Sequence, residues 1–414
     1  MMKIAPALNG TASLLARRFC FLFLAVGLLS ALALVGGCGS DDDKVTFPDP
    51  PPETRRDWLY DVYGTAADNV FVGGNQGVMF HFDGAAWTLQ NMGSTAAITT
   101  IWAPPTETTL YAVGHKGHIW RNTGSGWSGM DSGTTKDLYG IGSYQGQIHA
   151  VGAEGTIRRL TGSTWGGTGS MMVILDENSV PLDTLQVTKD LSSMLTVNHY
   201  FLGGAYFDPK FTGVRFGING TKGNVLAPNT VPGLTTDWIL RPISGDQRVD
   251  SEWVLSMSSD PATLSRNYLG TSEGWLFRLV RDDNGKNVWK KFYPEMTSDP
   301  GAGIRDIWVD AAGNVYVVTD EGKVFYQTED YDFTAGTGRR LMLYNGPSSL
   351  VGIWGTGPDN IYFAGYYDDV IFHAVHDPLA DTFTIDPISL VFPDKATGGG
   401  STESGLDEIG RPLR

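Results

Sequence analysis

The chain has 414 residues, with 30 Lys and Arg against 45 Asp and Glu, for a formal net charge of −15. An acidic chain of this kind is poorly suited to nucleic acid or to anionic lipid headgroups, because both select basic surface. Its 53 glycines, together with 12 Trp, 16 Tyr, 19 Phe and 41% hydrophobic residues, exclude a disordered chain and point to tight turns between aromatic strands.

Residues 1–37 carry Lys3, Arg17 and Arg18 and no acid, and an apolar run extends from Phe19 to Val35 broken only by Gly27 and Ser30. A basic start, an apolar run and small residues make a secretory signal. The run is also near the lower length limit of a membrane-spanning helix, so an uncleaved anchor or an ordinary signal stays open on this ground alone. The run ends in Val35-Gly36-Gly37-Cys38, which resembles the bacterial lipobox. That resemblance implies cleavage after Gly37, a diacylglycerol on the Cys38 thiol and an acylated new amino terminus. Several acyl chains, at ~0.8 kcal/mol per buried CH₂, would hold the protein on a bilayer. The only cysteines are Cys20 and Cys38, so the mature chain would have no disulfide. Its 27 basic and 45 acidic residues would give −18. Residues 38–57 then form the lipidated cysteine and a tether, with Asp41-Asp42-Asp43 and Pro48-Asp49-Pro50-Pro51-Pro52. The aspartate run reads as solvated charge rather than a cation site. Gly39 supplies no aspartate retention signal of the enterobacterial kind, and by that resemblance the expected location is the outer membrane of a bacterial envelope.

From residue 58 the chain repeats. Leu59-Tyr-Asp-Val62 precedes Asn69-Val-Phe-Val72-Gly73-Gly74, Gly77-Val-Met-Phe80 and Gly84-Ala-Ala-Trp87. The same succession restarts at Ile98 and Leu138, at spacings of 39 and 40 residues, and again at Ile304 and Leu350. Each unit holds three or four short β-rich runs punctuated by Gly, Asn and Asp. An all-β repeat of about 40 residues predicts a β-propeller of four-stranded blades over 58–393, followed by a flexible tail at 394–414. The turns Gly74-Asn-Gln-Gly77 and Gly114-His-Lys-Gly117 are predicted to join second and third strands, with glycine at positive φ.

Two looser units fill the middle, one around Leu202–Phe207, Gly213–Gly217, Gly223–Leu226 and Trp238, the other around Trp253, Asn267–Gly270, Gly274–Phe277 and Val288-Trp289. Motif quality therefore gives seven blades. The 166 residues between Leu138 and Ile304 would fit eight, with 166–201 as either a long insertion or a further blade. Ring closure is expected by main-chain pairing of the first and last units, through 388–392 or 45–47.

The pattern L-x-x-I-W-G, D-N-V-Y-A-V-G, G-x-I, G-x-W resembles the bacterial neuraminidase-repeat-like propellers, whose relatives include photosystem assembly-factor-like and secreted sialidase-like folds. The resemblance covers roughly 58–392. A Ser-x-Asp-x-Gly-x-x-Trp box is absent in clean form, with Phe82-Asp83-Gly84-Ala85-Ala86-Trp87 as its remnant.

Chemistry is harder to find. His115-x-x-His118 and His373-x-x-His376 lack companion ligands at zinc spacing. Asp282-Asp283-Asn284-Gly285 lacks the register of a calcium loop and reads as a hairpin turn. A sialidase-like site would need converging arginines; Arg158, Arg215, Arg278 and Arg305 occur in repeat units with Glu154 and Glu273, without a pattern that unites them. No metal, cofactor or catalytic residue is expected. The expected function is a monomeric, non-catalytic module binding a protein or glycan partner; the alternative is a surface glycoside hydrolase or lyase of sialidase-like architecture. The candidate partner-binding residues are those of the second-to-third-strand turns: Asn75, Gln76, His115, Lys116, Glu154, Asp320, Glu321, Tyr366, Tyr367 and Asp368.

Overall fold

The computed structural model describes residues 58–392 except 105–106, 145–146, 168–170, 176–180, 187–192, 195–201, 204–223, 229–237, 243–253, 260–265, 273, 282–284, 286, 294–301, 330–339, 367–369 and 381. The predicted signal, Cys38, the tether and the tail from 394 lie outside the described residues, as do the expected strands at 45–47 and 213–217.

The chain is a β-propeller. Blade 1 holds β1–β4 (Leu59–Ala66, Asn69–Gly74, Met79–Phe82, Trp87–Leu89). Blade 2 holds β5–β8 (Ile98–Trp102, Leu110–Gly114, Ile119–Asn122, Trp127–Met130). Blade 3 holds β9–β12 (Leu138–Tyr144, Gln147–Gly152, Ile157–Thr161, Thr164–Gly167). The fourth sheet contains β13–β18 (Met171–Leu175, Pro181–Gln186, Ser193–Met194, Leu202–Gly203, Asn224–Pro228, Trp238–Pro242). Three further blades follow: β19–β22 (Val254–Ser259, Asn267–Thr271, Leu276–Arg281, Asn287–Tyr293), β23–β26 (Ile304–Val309, Val315–Thr319, Lys323–Gln327, Arg340–Asn345) and β27–β30 (Leu350–Gly357, Asn360–Gly365, Val370–Asp377, Thr382–Ser389).

The four-stranded blades number six, not the expected seven, because the fourth sheet in chain order has six strands, ordered β14-β13-β18-β17-β16-β15. Its β15 lies beside β9 and β19, so β15 to β18 run outward as in the blades. The hairpin β13–β14 is then added outside β18 through parallel pairing of β13 with β18. That hairpin accounts for much of the stretch 166–201, whose length had argued for an eighth blade.

The innermost strands of the six four-stranded blades are built alike. Their first and fourth residues are apolar: Leu59 and Val62, Ile98 and Ile101, Leu138 and Ile141, Val254 and Met257, Ile304 and Ile307, Leu350 and Ile353. Between the first and third residues every one of these strands carries a register shift against its neighbour, the signature of a β-bulge. The fourth residues enter cores that lie between blades. Leu59, Val62, Val70, Val72 and Phe80 of blade 1 pack with Trp354, Tyr362, Ala364 and Ile371 of the last blade. Equivalent clusters join blade 1 to 2, 2 to 3 and each of the last three blades to its neighbour.

Aromatic residues make the joints directional. A Cβ on Gly355 would lie 2.8 Å from the Trp308 ring of the preceding blade, and a Cβ on Gly64 would collide with Trp354 in the same way. Tyr63 repeats the step, donating its hydroxyl hydrogen bond to the Ala103 carbonyl at 3.4 Å. The G-x-W tryptophans complete the outer wedge: Trp127 meets Phe71 edge-on at 5.8 Å, and Trp87 meets Tyr362 at 6.0 Å.

Of the two strands expected to close the ring, 45–47 lies outside the described residues and 388–392 does not pair with the first blade. The last blade has its own outer strand, β30, paired with β29 from Asp377↔Thr382 to Val370↔Ser389. No described strand is exchanged between first and last blades. The joint is instead side-chain packing of the kind that joins the other blades, extended by Leu390 and Phe392, which leave β30 and bury in the seam with Phe392 at 5.2 Å from Phe80. Backbone also approaches closely: a Cβ on Gly352 would lie 2.9 Å from the Val62 nitrogen.

Candidate functional site

The turns between second and third strands lie on the same face as the connections between blades. In blade 1 the Asn75 N–H donates to the Trp58 carbonyl at 2.9 Å, just ahead of β1, and the Gly77 position abuts the backbone of Ser94 in the link to blade 2. Blades 2 and 3 repeat this with His115 N–H on the Ala97 carbonyl and Ala153 N–H on the Asp137 carbonyl, at 3.0 and 2.9 Å. Asp320 and Tyr366 make the same bond to Gly303 and Ser349.

Glycine takes positive φ in these turns as expected, at Gly77, Gly117 and Gly155. The preceding residues do so too. Gln76, Lys116 and Glu154 sit at φ of 53°, 56° and 53°, and they are the only described non-glycine residues in the left-handed region. For such side chains this conformation costs about 1–2 kcal/mol each. All three are exposed. Lys116 is tied by its N–H to Asp137 at 2.7 Å, and Glu154 pairs with Lys136 at 2.5 Å.

The ten predicted rim residues therefore divide. Gln76, Lys116 and Glu154 present side chains to solvent, and His115, Asp320 and Glu321 are half-buried. Asn75 and Tyr366 are buried. Tyr366 meets Trp58 at a tilt and Tyr60 edge-on, at 5.5 and 5.8 Å between ring centroids. Asp320 is bonded to the Arg305 side chain and to the Gly303 N–H, and Glu321 pairs with Lys323. Tyr367 and Asp368 lie outside the described residues.

A second feature was not singled out from sequence. On the propeller axis the inner strands enclose a cavity of about 180 Å³, lined by residues that include Tyr60, Thr99, Tyr139, Leu255, Arg305 and Val351 at the bulges. The following residue of each strand reaches across to the next blade. Asp61 accepts the Ile101 N–H at 2.6 Å and Asp306 accepts the Ile353 N–H at 2.9 Å. Thr100 donates to the Tyr139 carbonyl at 2.7 Å, and Ser256 donates to the Ile304 carbonyl at 3.2 Å. Blade 3 and the last blade have glycine there, Gly140 and Gly352. The signal for this site was the x-x of the repeat L-x-x-I, two positions that vary in chemistry among the copies while their neighbours stay aliphatic or, at Met257, apolar. Burial pushes the Tyr63 phenol, also on the cavity wall, up to about 12, with Asp61 adding to the rise and the Ala103 carbonyl opposing it.

The other predicted sites stay apart. His373 stacks on Tyr362 and bonds Asn360 at 2.9 Å, whereas His376 meets Phe383. His115 and His118 face different partners, His118 bonding Ser94 at 3.0 Å. Among the described residues no three His, Cys, Asp or Glu side chains gather as metal ligands. Arg281 pairs with Asn287 across the predicted 282–285 turn, whose residues 282–284 are outside the described set. Arg158 bonds the Ser132 carbonyl, Arg278 pairs with Glu329 and Arg305 with Asp320, so these arginines do not converge. Arg215 and Glu273 are outside the described residues. No helix among the described residues is long and apolar enough to cross a membrane.

No protein-family model and no curated protein matches the chain. Solved structures match its fold. A structure described as YCF48 bound to D1 peptide has a TM-score of 0.52 at 14% identity, covering 78% of this chain and 93% of that one. YCF48 from Cyanidioschyzon merolae gives 0.48 at 16% identity over 76% and 94%, and the computationally designed Ika8 protein gives 0.48 at 11% over 83% and 92%. The first of these likenesses, at 14% identity, bears on the fold alone and agrees with the propeller.

Proposed function

We propose that this chain is a lipid-anchored envelope propeller, held through Cys38 at the outer membrane, that binds a protein partner on its turn face without transforming it. The observation that carries the binding role is the repeated strain at Gln76, Lys116 and Glu154. Three blades place a polar, exposed, non-glycine side chain where glycine would cost nothing, and all three open on one face. Backbone strain retained at equivalent exposed positions supports a use for those side chains beyond folding. That a propeller of similar fold was solved with a peptide bound favours a protein over a glycan partner. The anchor rests on the sequence Val35-Gly36-Gly37-Cys38.

The test is a triple variant, Gln76→Gly, Lys116→Gly and Glu154→Gly, compared with wild type in crosslinking from the native envelope. Relief of left-handed strain, less the entropy glycine adds to the unfolded chain, should leave the variant at least as stable as wild type. Partners captured by wild type should be lost. A variant that melts no lower and captures the same partners would remove the binding role from this face.

A further inference from the structure

The axial cavity has a chemistry the turn face lacks. Its volume of about 180 Å³ is below the ~300–1,000 Å³ of small-molecule pockets, so it suits a single side chain. Its lining includes Tyr63, Trp102, Trp308 and Trp354 together with Asp61 and Asp306. The one basic residue on the described wall, Arg305, is already neutralised by Asp320. The two carboxylates stand on β23 and β1, on either side of the last blade, which has Gly352 at that position. Both are half-buried and so reach the water of the channel, while the bulge residues beside them are buried.

Repeat logic adds a second line. The first and fourth residues of the inner strands of the six four-stranded blades are all apolar, as interblade packing demands. The second residues are Tyr60, Thr99, Tyr139, Leu255, Arg305 and Val351, and the third are Asp61, Thr100, Gly140, Ser256, Asp306 and Gly352. These positions share one geometry and one cavity, yet their size and charge differ from blade to blade. Packing alone would favour the same residue class in each copy.

We infer that the axial cavity receives one basic side chain, a lysine or arginine, from the partner bound on the turn face. The reading rests on the binding role proposed above and specifies its chemistry. Carboxylates and aromatic rings together attract an ammonium or guanidinium group, and desolvation in a narrow channel strengthens both contributions. The acidic chain steers a basic partner toward it. A bare metal ion fits less well, since each carboxylate already accepts a backbone N–H and no third ligand stands with them among the described residues.

The test uses the folded chain labelled with ¹⁵N-tryptophan, with the indole signals of Trp102, Trp308 and Trp354 assigned through single Trp→Phe variants. The probes are n-butylguanidinium, valerate as an anion with the same butyl chain, and the capped tripeptide Gly-Arg-Gly. Butylguanidinium and the tripeptide should shift these indoles saturably, and valerate should not. Asp61→Asn and Asp306→Asn keep an oxygen for the Ile101 and Ile353 N–H groups and remove only charge. Together they should weaken binding about tenfold, and each alone by part of that. The inference is overturned if the cations give no saturable shift, if valerate acts alike, if the variants bind as wild type does, or if the tripeptide is excluded while the free cation binds. Partner capture that survives Asp61→Asn with Asp306→Asn but is lost in the turn-face triple variant would sink this inference alone and leave the binding role standing.

Discussion

Replacing Gly352 by alanine probes how the ring closes. A Cβ there would lie 2.9 Å from the Val62 nitrogen and 3.0 Å from the Asp61 Cα, in a different blade. Neither atom is the free end of a side chain, so β1 and β27 must separate by a few tenths of an ångström. Separation disturbs the Val62 and Trp354 packing of the seam and the Asp61 bond to Ile101. Overpacking of this kind costs about 1–3 kcal/mol. With an unfolding entropy near 2.1 cal/mol/K per residue, a ring of roughly 335 residues loses about 3 °C for 2 kcal/mol if it unfolds as one unit. Gly129→Ala is the matched control, because in β8 a Cβ meets nothing within 4 Å. Calorimetry of both variants should show a drop for Gly352→Ala and none for Gly129→Ala. Equal melting temperatures would show that close backbone approach at the seam does not hold the ring shut.

Two further outcomes are expected. Burial takes His149 down to about 4 from its ordinary value, helped by the charge of Arg159 and opposed by its bond to the Gln147 carbonyl. Below pH 6.5 the unfolded chain therefore takes up a proton that the folded chain refuses, and stability falls toward pH 4 by on the order of 3 kcal/mol. His149→Gln should flatten that slope, leaving the smaller contributions of His81 and His373, whose values burial also lowers; an unchanged pH profile would refute the assignment. Cys38→Ser should leave an unprocessed precursor or release soluble protein in envelope fractionation, and normal processing with retention would refute the lipobox reading.

The regular units were legible because their constraints are local. Turn glycines, aliphatic residues at Leu59, Ile98, Leu138, Ile304 and Leu350, and the G-x-W tryptophans each answer to one blade joint. The fourth sheet was not, since a hairpin that pairs in parallel with β18 leaves no turn signature connecting the two. Rim exposure was half legible. Polarity and position in the turn suggested that Asn75 and Tyr366 face solvent, but both are buried, Tyr366 against the rings of Trp58 and Tyr60. The axial cavity was hidden for a related reason: a β-bulge is a matter of register between strands, and single-strand alternation does not reveal it.

Six blades built from unshared, consecutive strands also set an order of events during synthesis. Each can pair as soon as its own stretch of about 40 residues has left the ribosome, a local and fast process. The seam cannot. Val72 and Phe80 face solvent until Tyr362, Leu390 and Phe392 arrive roughly 300 residues later, so an apolar blade face stays uncovered for most of translation. The last buried residue of the ring thus acts as a latch that only the finished chain can throw, and partially made chains are the form of this protein most in need of a chaperone.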